Sequence, residues 1–92
     1  MKVMVVWNLL PGGAVESVEK FLAGDAATPE RVTLLGRWHR MDGTGGYTLY
    51  ETNEPIQVYR AVVRWADLIE FETNVVLEDG EAGPVLAEEF AK

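Results

Sequence analysis

Between Lys2 and Leu9 apolar and β-branched residues run almost unbroken, and the run stops at Pro11-Gly12-Gly13. That composition and that stop predict a strand followed by a turn. Over residues 14–23 the period changes. Val15, Val18, Phe21 and Leu22 recur at helical spacing, Glu16, Glu19 and Lys20 take the other side, and Gly24 provides a stop, so the segment reads as an amphipathic helix. After a loop over 25–31, strand character returns over 32–39 and again over 47–52. The tract between them contains Gly43, Gly45 and Gly46, which supply positive φ cheaply and predict a hairpin loop. Asn53-Glu54-Pro55 places a capping residue and a proline where a helix should begin, and the helix is expected to reach about residue 67. Residues 69–77 read as a fourth strand and Glu78-Asp79-Gly80 as a turn. The tail reads as a short helix beginning at Pro84, with Val85, Leu86 and Phe90 as its apolar stripe.

The order is β-α-β-β-α-β with an additional C-terminal helix: a ferredoxin-like α+β fold with an antiparallel sheet and both main helices on one face, in a single domain over 1–92. Side chains alternate along a strand, so each strand offers two sets. The more apolar sets are expected beneath the helices: Val3, Val5, Trp7 and Leu9; Val32, Leu34 and Trp38; Tyr47 and Leu49; Phe71, Val75 and Leu77. The opposite sets still carry Met4, Val6, Leu35, Tyr50 and Val76 beside Asn8, Arg37, His39 and Asn74. A solvated face would not combine so many apolar groups, and a domain this small covers only a modest share of its own surface. A homodimer that pairs two sheets face to face is therefore expected. The second helix is apolar over more than one stripe, and the tail helix is expected to pack across it, in its own chain or in the partner's.

Four tracts carry a family resemblance: Met4-Val5-Val6-Trp7 with Pro11-Gly12, Leu35-Gly36-Arg37-Trp38-His39, Tyr50-Glu51-Thr52-Asn53-Glu54-Pro55, and 65–72 (Trp-Ala-Asp-Leu-Ile-Glu-Phe-Glu). With the element order, they make the chain similar to a family of small, functionally uncharacterised bacterial proteins within the dimeric α+β barrel superfamily. The resemblance implies the fold and a dimer. It implies no single reaction, because that superfamily includes cofactor-free monooxygenases, isomerases, haem-degrading enzymes and stress-response proteins.

Charge alters the picture by its placement. The net charge is −7 over 92 residues, from 8 Lys+Arg and 15 Asp+Glu. Residues 1–66 hold seven acids and seven bases, whereas 67–92 hold eight acids and the single base Lys92. No basic face is offered to nucleic acid, and the longest apolar run is far short of the roughly 20 residues that span a bilayer. A cytoplasmic location is the default expectation. With no cysteine and one histidine, a disulfide framework is impossible and a zinc centre within one chain is not expected. No cofactor is expected. Ser17 is the single serine and falls inside a helix, which argues against a Ser-His-Asp site.

The candidate chemistry centres on Arg37 and His39, two apart on one strand and so on one face. A guanidinium can hold a carboxylate or phenolate bidentately, and an imidazole can act as acid, base or ligand. Asn8, Trp38, Tyr50 and Asn74 complete the expected ligand-binding set. The ligand is expected to be a small aromatic or carboxylate-bearing molecule, with Arg37 and His39 as the candidates for catalysis of a cofactor-free monooxygenase or isomerase kind. Two alternatives stand beside this: Arg37 pairs with Glu51 or Glu72 and His39 caps the hairpin, or the chain is a non-enzymatic accessory or stress-related dimer without a ligand site.

Overall fold

The computed structural model describes residues 1–91. Its elements follow the expected order: β1 (Lys2–Leu9), α1 (Ala14–Leu22), β2 (Val32–His39), β3 (Gly45–Thr52), α2 (Pro55–Val63), β4 (Ile69–Val76) and α3 (Asp79–Phe90). The four strands form one antiparallel sheet in the order β2-β3-β1-β4, the ferredoxin-like arrangement, with β1 and β3 in the centre. Among the described residues no helix is long and apolar enough to cross a membrane.

Gly13 begins α1, and Gly24, at φ +91°, ends it just past the Ala23 cap. The start of α2 differs from expectation. Asn53 does not cap it; instead the Thr52 hydroxyl accepts the Glu54 N–H at 2.9 Å. The helix is also shorter than expected, because residues 64–68 turn rather than continue it. The third helix begins at Asp79, not Pro84. Glu78 and Glu81 form a reciprocal capping box that sets its start, and Pro84 lies within the helix.

The core is thin. Val3, Val5, Tyr50 and Val58 form one buried cluster, and Trp65, Leu68 and Ile69 form a second that Trp7 and Phe71 abut. Both lie on the helix side of the sheet. Register fixes which residues share that side: Val3, Val5 and Trp7 stand opposite Tyr50, Thr48 and Gly46 on β3, and opposite Val75, Thr73 and Phe71 on β4. The expected assignment of β3 is thereby inverted. Thr48, Tyr50 and Thr52 point into the core and are buried, while Tyr47 and Leu49 face outward. The outer face is consequently richer in apolar groups than the sequence suggested. Met4, Val6, Trp38, Tyr47, Leu49 and Val76 all belong to it, with Trp38 and Tyr47 at 53 % and 41 % exposure.

The chain measures 54 × 29 × 18 Å and has a radius of gyration of 15.7 Å, against about 12 Å for a compact domain of this length. α3 stands out as an exposed arm. It buries no residue and leaves Val85, Leu86 and Phe90 exposed, so it does not pack across the α2 of its own chain.

Candidate functional site

Strand β2 carries the site, and an irregularity in it decides where the site faces. Its register with β3 shifts between Leu34 and Gly36. Leu34 stands opposite Tyr50, and past the shift Arg37 stands opposite Thr48 and His39 opposite Gly46. The extra residue re-aims the rest of the strand. Arg37 and His39 therefore share a face as expected, but it is the helix face and not the outer one. Trp38 is turned outward by the same shift, and its indole lies so close over Gly36 that a side chain there would overlap it.

Between the sheet and the two main helices lies a cavity of about 390 Å³. Val5 and Trp7 from β1, Phe71 from β4, Val18 and Phe21 from α1, and Val62 from α2 make its walls largely apolar. Four groups break that apolar lining: Arg37, His39, Ser17 and Thr48. The Thr48 hydroxyl accepts the indole N–H of Trp7 at 3.2 Å, which holds the ring as a wall.

Arg37 is half-buried. One Nη donates to the Ala26 carbonyl oxygen at 3.3 Å, and the guanidinium carbon lies 5.8 Å from the centre of the Phe21 ring. Among the described residues no carboxylate lies in ion-pair range of it. Glu51, one expected partner, is held by the N-terminal ammonium and Lys2; Glu72, the other, stands opposite Val6 on the outer face. The cation thus keeps most of its five donors free beside apolar walls. The imidazole of His39 meets Trp7 and Phe21 edge-on, at 5.2 and 5.8 Å between ring centres. It does not cap the hairpin. Arg40 does that, by donating to the Thr44 hydroxyl and the side-chain Oδ1 of Asn8. Ser17 is 5 % exposed, and its hydroxyl has no hydrogen-bond partner among the described residues.

Of the six residues expected to form the site, Arg37 and His39 come together in the cavity. Asn8 lies on the outer side of β1 and braces Arg40. Tyr50 is on the helix side but is buried in the core against Val3, Val5 and Val58, outside the cavity lining. Trp38 and Asn74 sit on the outer face. In exchange the cavity recruits Trp7, Ser17, Phe21 and Thr48. A signal for Ser17 was present in the sequence. Ala14, Ser17, Val18 and Phe21 fall at i, i+3, i+4 and i+7, one helix face, which puts the lone serine on the inward stripe while Val15 and Leu22 point out at 72 % and 77 % exposure.

The β2–β3 loop closes one end of the cavity through Gly43 and Gly45. It is kept in shape by Asp42, whose carboxylate accepts the Thr44 hydroxyl at 2.6 Å and the Thr44 N–H at 3.0 Å. These bonds, with Arg40 nearby, hold the Asp42 carboxyl below its ordinary pKa. Among the described residues no three metal-ligating side chains are gathered in one place. What the arrangement can do is bind: flat walls for an aromatic body, a free guanidinium for an oxyanion, and a hydroxyl and an imidazole for further polar contact.

The family model called Domain of unknown function (DUF3303) matches residues 1–90 of the chain. No curated protein matches it.

Proposed function

The chain belongs to the DUF3303 family, and from the site it carries we propose that it binds a small aromatic molecule bearing a carboxylate or phenolate oxygen in the cavity between sheet and helices. One observation carries this reading: Arg37 lies in a largely apolar cavity of about 390 Å³ without a carboxylate partner among the described residues. A half-buried cation left without a counter-charge is costly to the free protein, and an anionic ligand would remove that cost. The ligand's aromatic ring would lie between Trp7 and Phe21, with its oxygens toward Arg37 and with His39 available for proton exchange.

In the same reading the protein works as a homodimer of the dimeric α+β barrel kind, two outer sheet faces packed together. The exposed Trp38 and Tyr47 beside Met4, Val6, Leu49 and Val76 support this, as does a core too thin to leave such a face in water.

Thermal melting with a panel of aromatic acids (benzoate, salicylate, 1-naphthoate) and their uncharged amides tests the ligand class. At a hundredfold excess over Kd a ligand stabilises by about 2.7 kcal/mol, which for a domain of this size raises Tm on the order of 10 °C. The acids should give such a shift and the amides should not. Equal shifts from both sets, or none from either, would remove the role given to the guanidinium.

A further inference from the structure

The C-terminal helix is an arm without a seat in its own chain. Its Ala82, Leu86 and Phe90 repeat every four residues on one face, and Phe90 is 80 % exposed. A second unpartnered stripe of matching character runs along the outer side of α2, where Ile56, Tyr59 and Val63 are 59 %, 65 % and 48 % exposed. The charges around the two stripes are complementary. Arg60 and Arg64 flank the α2 stripe near its C-terminal end, and Glu89 lies beside Leu86 and Phe90 near the C-terminal end of α3, one residue from Phe90 and three from Leu86. The arm cannot swing back onto its own α2 at no cost. Only Leu77 and Glu78 separate it from β4; Glu78 is fixed by the capping box and lies 3.6 Å from Lys2, whose backbone is in register with Val76.

We propose that α3 docks on α2 of a second copy of this chain, Leu86 and Phe90 against Ile56, Tyr59 and Val63, with Glu89 at the rim of that stripe meeting Arg60 and Arg64 of that copy. This rests on the dimer of the preceding section but names a separate contact, an exchange of arms in addition to the sheet face. Because α2 supplies Ala61 and Val62 to the cavity wall, the partner's arm would brace one side of the ligand site.

The absence of cysteine makes the contact directly testable. One chain carries Ala91→Cys and a co-expressed, differently tagged chain carries Ala66→Cys; both positions are exposed and leave the two stripes intact. A short bismaleimide should give a mixed product of twice the 10.2 kDa chain mass, reduced on adding Glu89→Arg, and restored when Arg60→Glu and Arg64→Glu are combined with it. A chain carrying both cysteines tests the alternative: a crosslink closed within one chain would overturn the proposal. So would a mixed product formed instead with Glu51→Cys on the outer sheet face, or no product at all. Light scattering separates the two claims, since a dimer without the mixed crosslink refutes the arm and leaves the sheet interface standing, whereas a monomer refutes both.

Discussion

Replacing Arg37 by Met separates the cost of the guanidinium from its use. In the free protein the side chain makes one hydrogen bond, 3.3 Å long, to the Ala26 carbonyl, and sits 5.8 Å over Phe21. A bond of that length to a charged donor lies at or below the low end of about 1.5–3 kcal/mol, and the cation–π contact adds about 0.5–1 kcal/mol. Against them stands the partial desolvation of a cation with no ion-pair partner among the described residues, a cost of the same order. A methionine retains the apolar stem, fills the cavity flexibly and carries no charge. The net change should stay within about 1 kcal/mol of zero, so Tm without ligand should move by no more than roughly 4–8 °C at fixed protein concentration. Binding should behave otherwise. Loss of a charge-assisted contact to a carboxylate removes about 1.5–3 kcal/mol, a rise in Kd of about 10- to 150-fold. The assay is differential: calorimetric melting of both proteins alone, then isothermal titration with the aromatic acid that gives the largest shift. A Tm collapse in Arg37→Met would show that the residue is structural. An unchanged Kd would show that the oxyanion does not reside at the guanidinium.

The remaining predictions concern the outer face, a crowded glycine and the loop at the cavity end. Trp38→Glu places a charge on the proposed sheet interface, where burial without a partner costs several kcal/mol. The mass by light scattering should fall to that of one chain while the far-ultraviolet circular dichroism is retained; an unchanged dimer mass would refute this placement of the interface. A Cβ at Gly46 would overlap the Trp38 carbonyl oxygen and the Trp7 indole, whereas one at Gly80 meets nothing within 4 Å. Gly46→Ala should therefore cost about 1–3 kcal/mol or more, and Gly80→Ala should be neutral or stabilising by up to about 1 kcal/mol, both read from urea melts. Thr44→Val removes the shorter of the two bonds to Asp42, so the Asp42 carboxyl should titrate closer to 3.8, the ordinary value, in carbon-detected NMR. A lowered folded pKa means that the native loop gains stability above the unfolded value and loses it as pH falls through the folded one; the variant should show a weaker loss of loop order in acid.

The order of elements was legible because most segments state their period plainly: Lys2–Leu9 is rich in β-branched and aromatic residues, Val32–His39 opens on Val-Thr-Leu-Leu, and α1 repeats at helical spacing. The faces were harder to read, for two physical reasons. The shift between Leu34 and Gly36 inserts a residue into β2, and alternation cannot be counted through it. On β3 the rule that the more apolar set faces the core fails. Tyr47 and Leu49 look outward, while Thr48 and Thr52 are buried with their hydroxyls bonded to Trp7 and to the Arg31 carbonyl. A buried threonine whose partner lies on a distant segment leaves no local trace in the sequence. Arg37 and His39 were found because charged and imidazole side chains are unusual beside Trp38 on a strand. Trp7, Phe21 and Thr48 were not, because residues that wall a cavity have the same composition as residues that fill a core. The capping box of Glu78 and Glu81 was present in the sequence at its proper spacing, and it shows why a tail read as starting at Pro84 begins five residues earlier.

The three tryptophans supply the most direct measurement. Trp7 and Trp65 line the cavity, and Trp38 lies on the opposite face of the sheet. In a ¹⁵N-labelled sample they give three indole N–H signals, assignable by Trp→Phe substitution. Titration with the tightest aromatic acid should move the Trp7 and Trp65 signals along a common saturation curve and leave Trp38 in place, with the movement lost in Arg37→Met at the same concentrations. Movement of Trp38 alone, or of none of the three, would contradict a ligand site between sheet and helices.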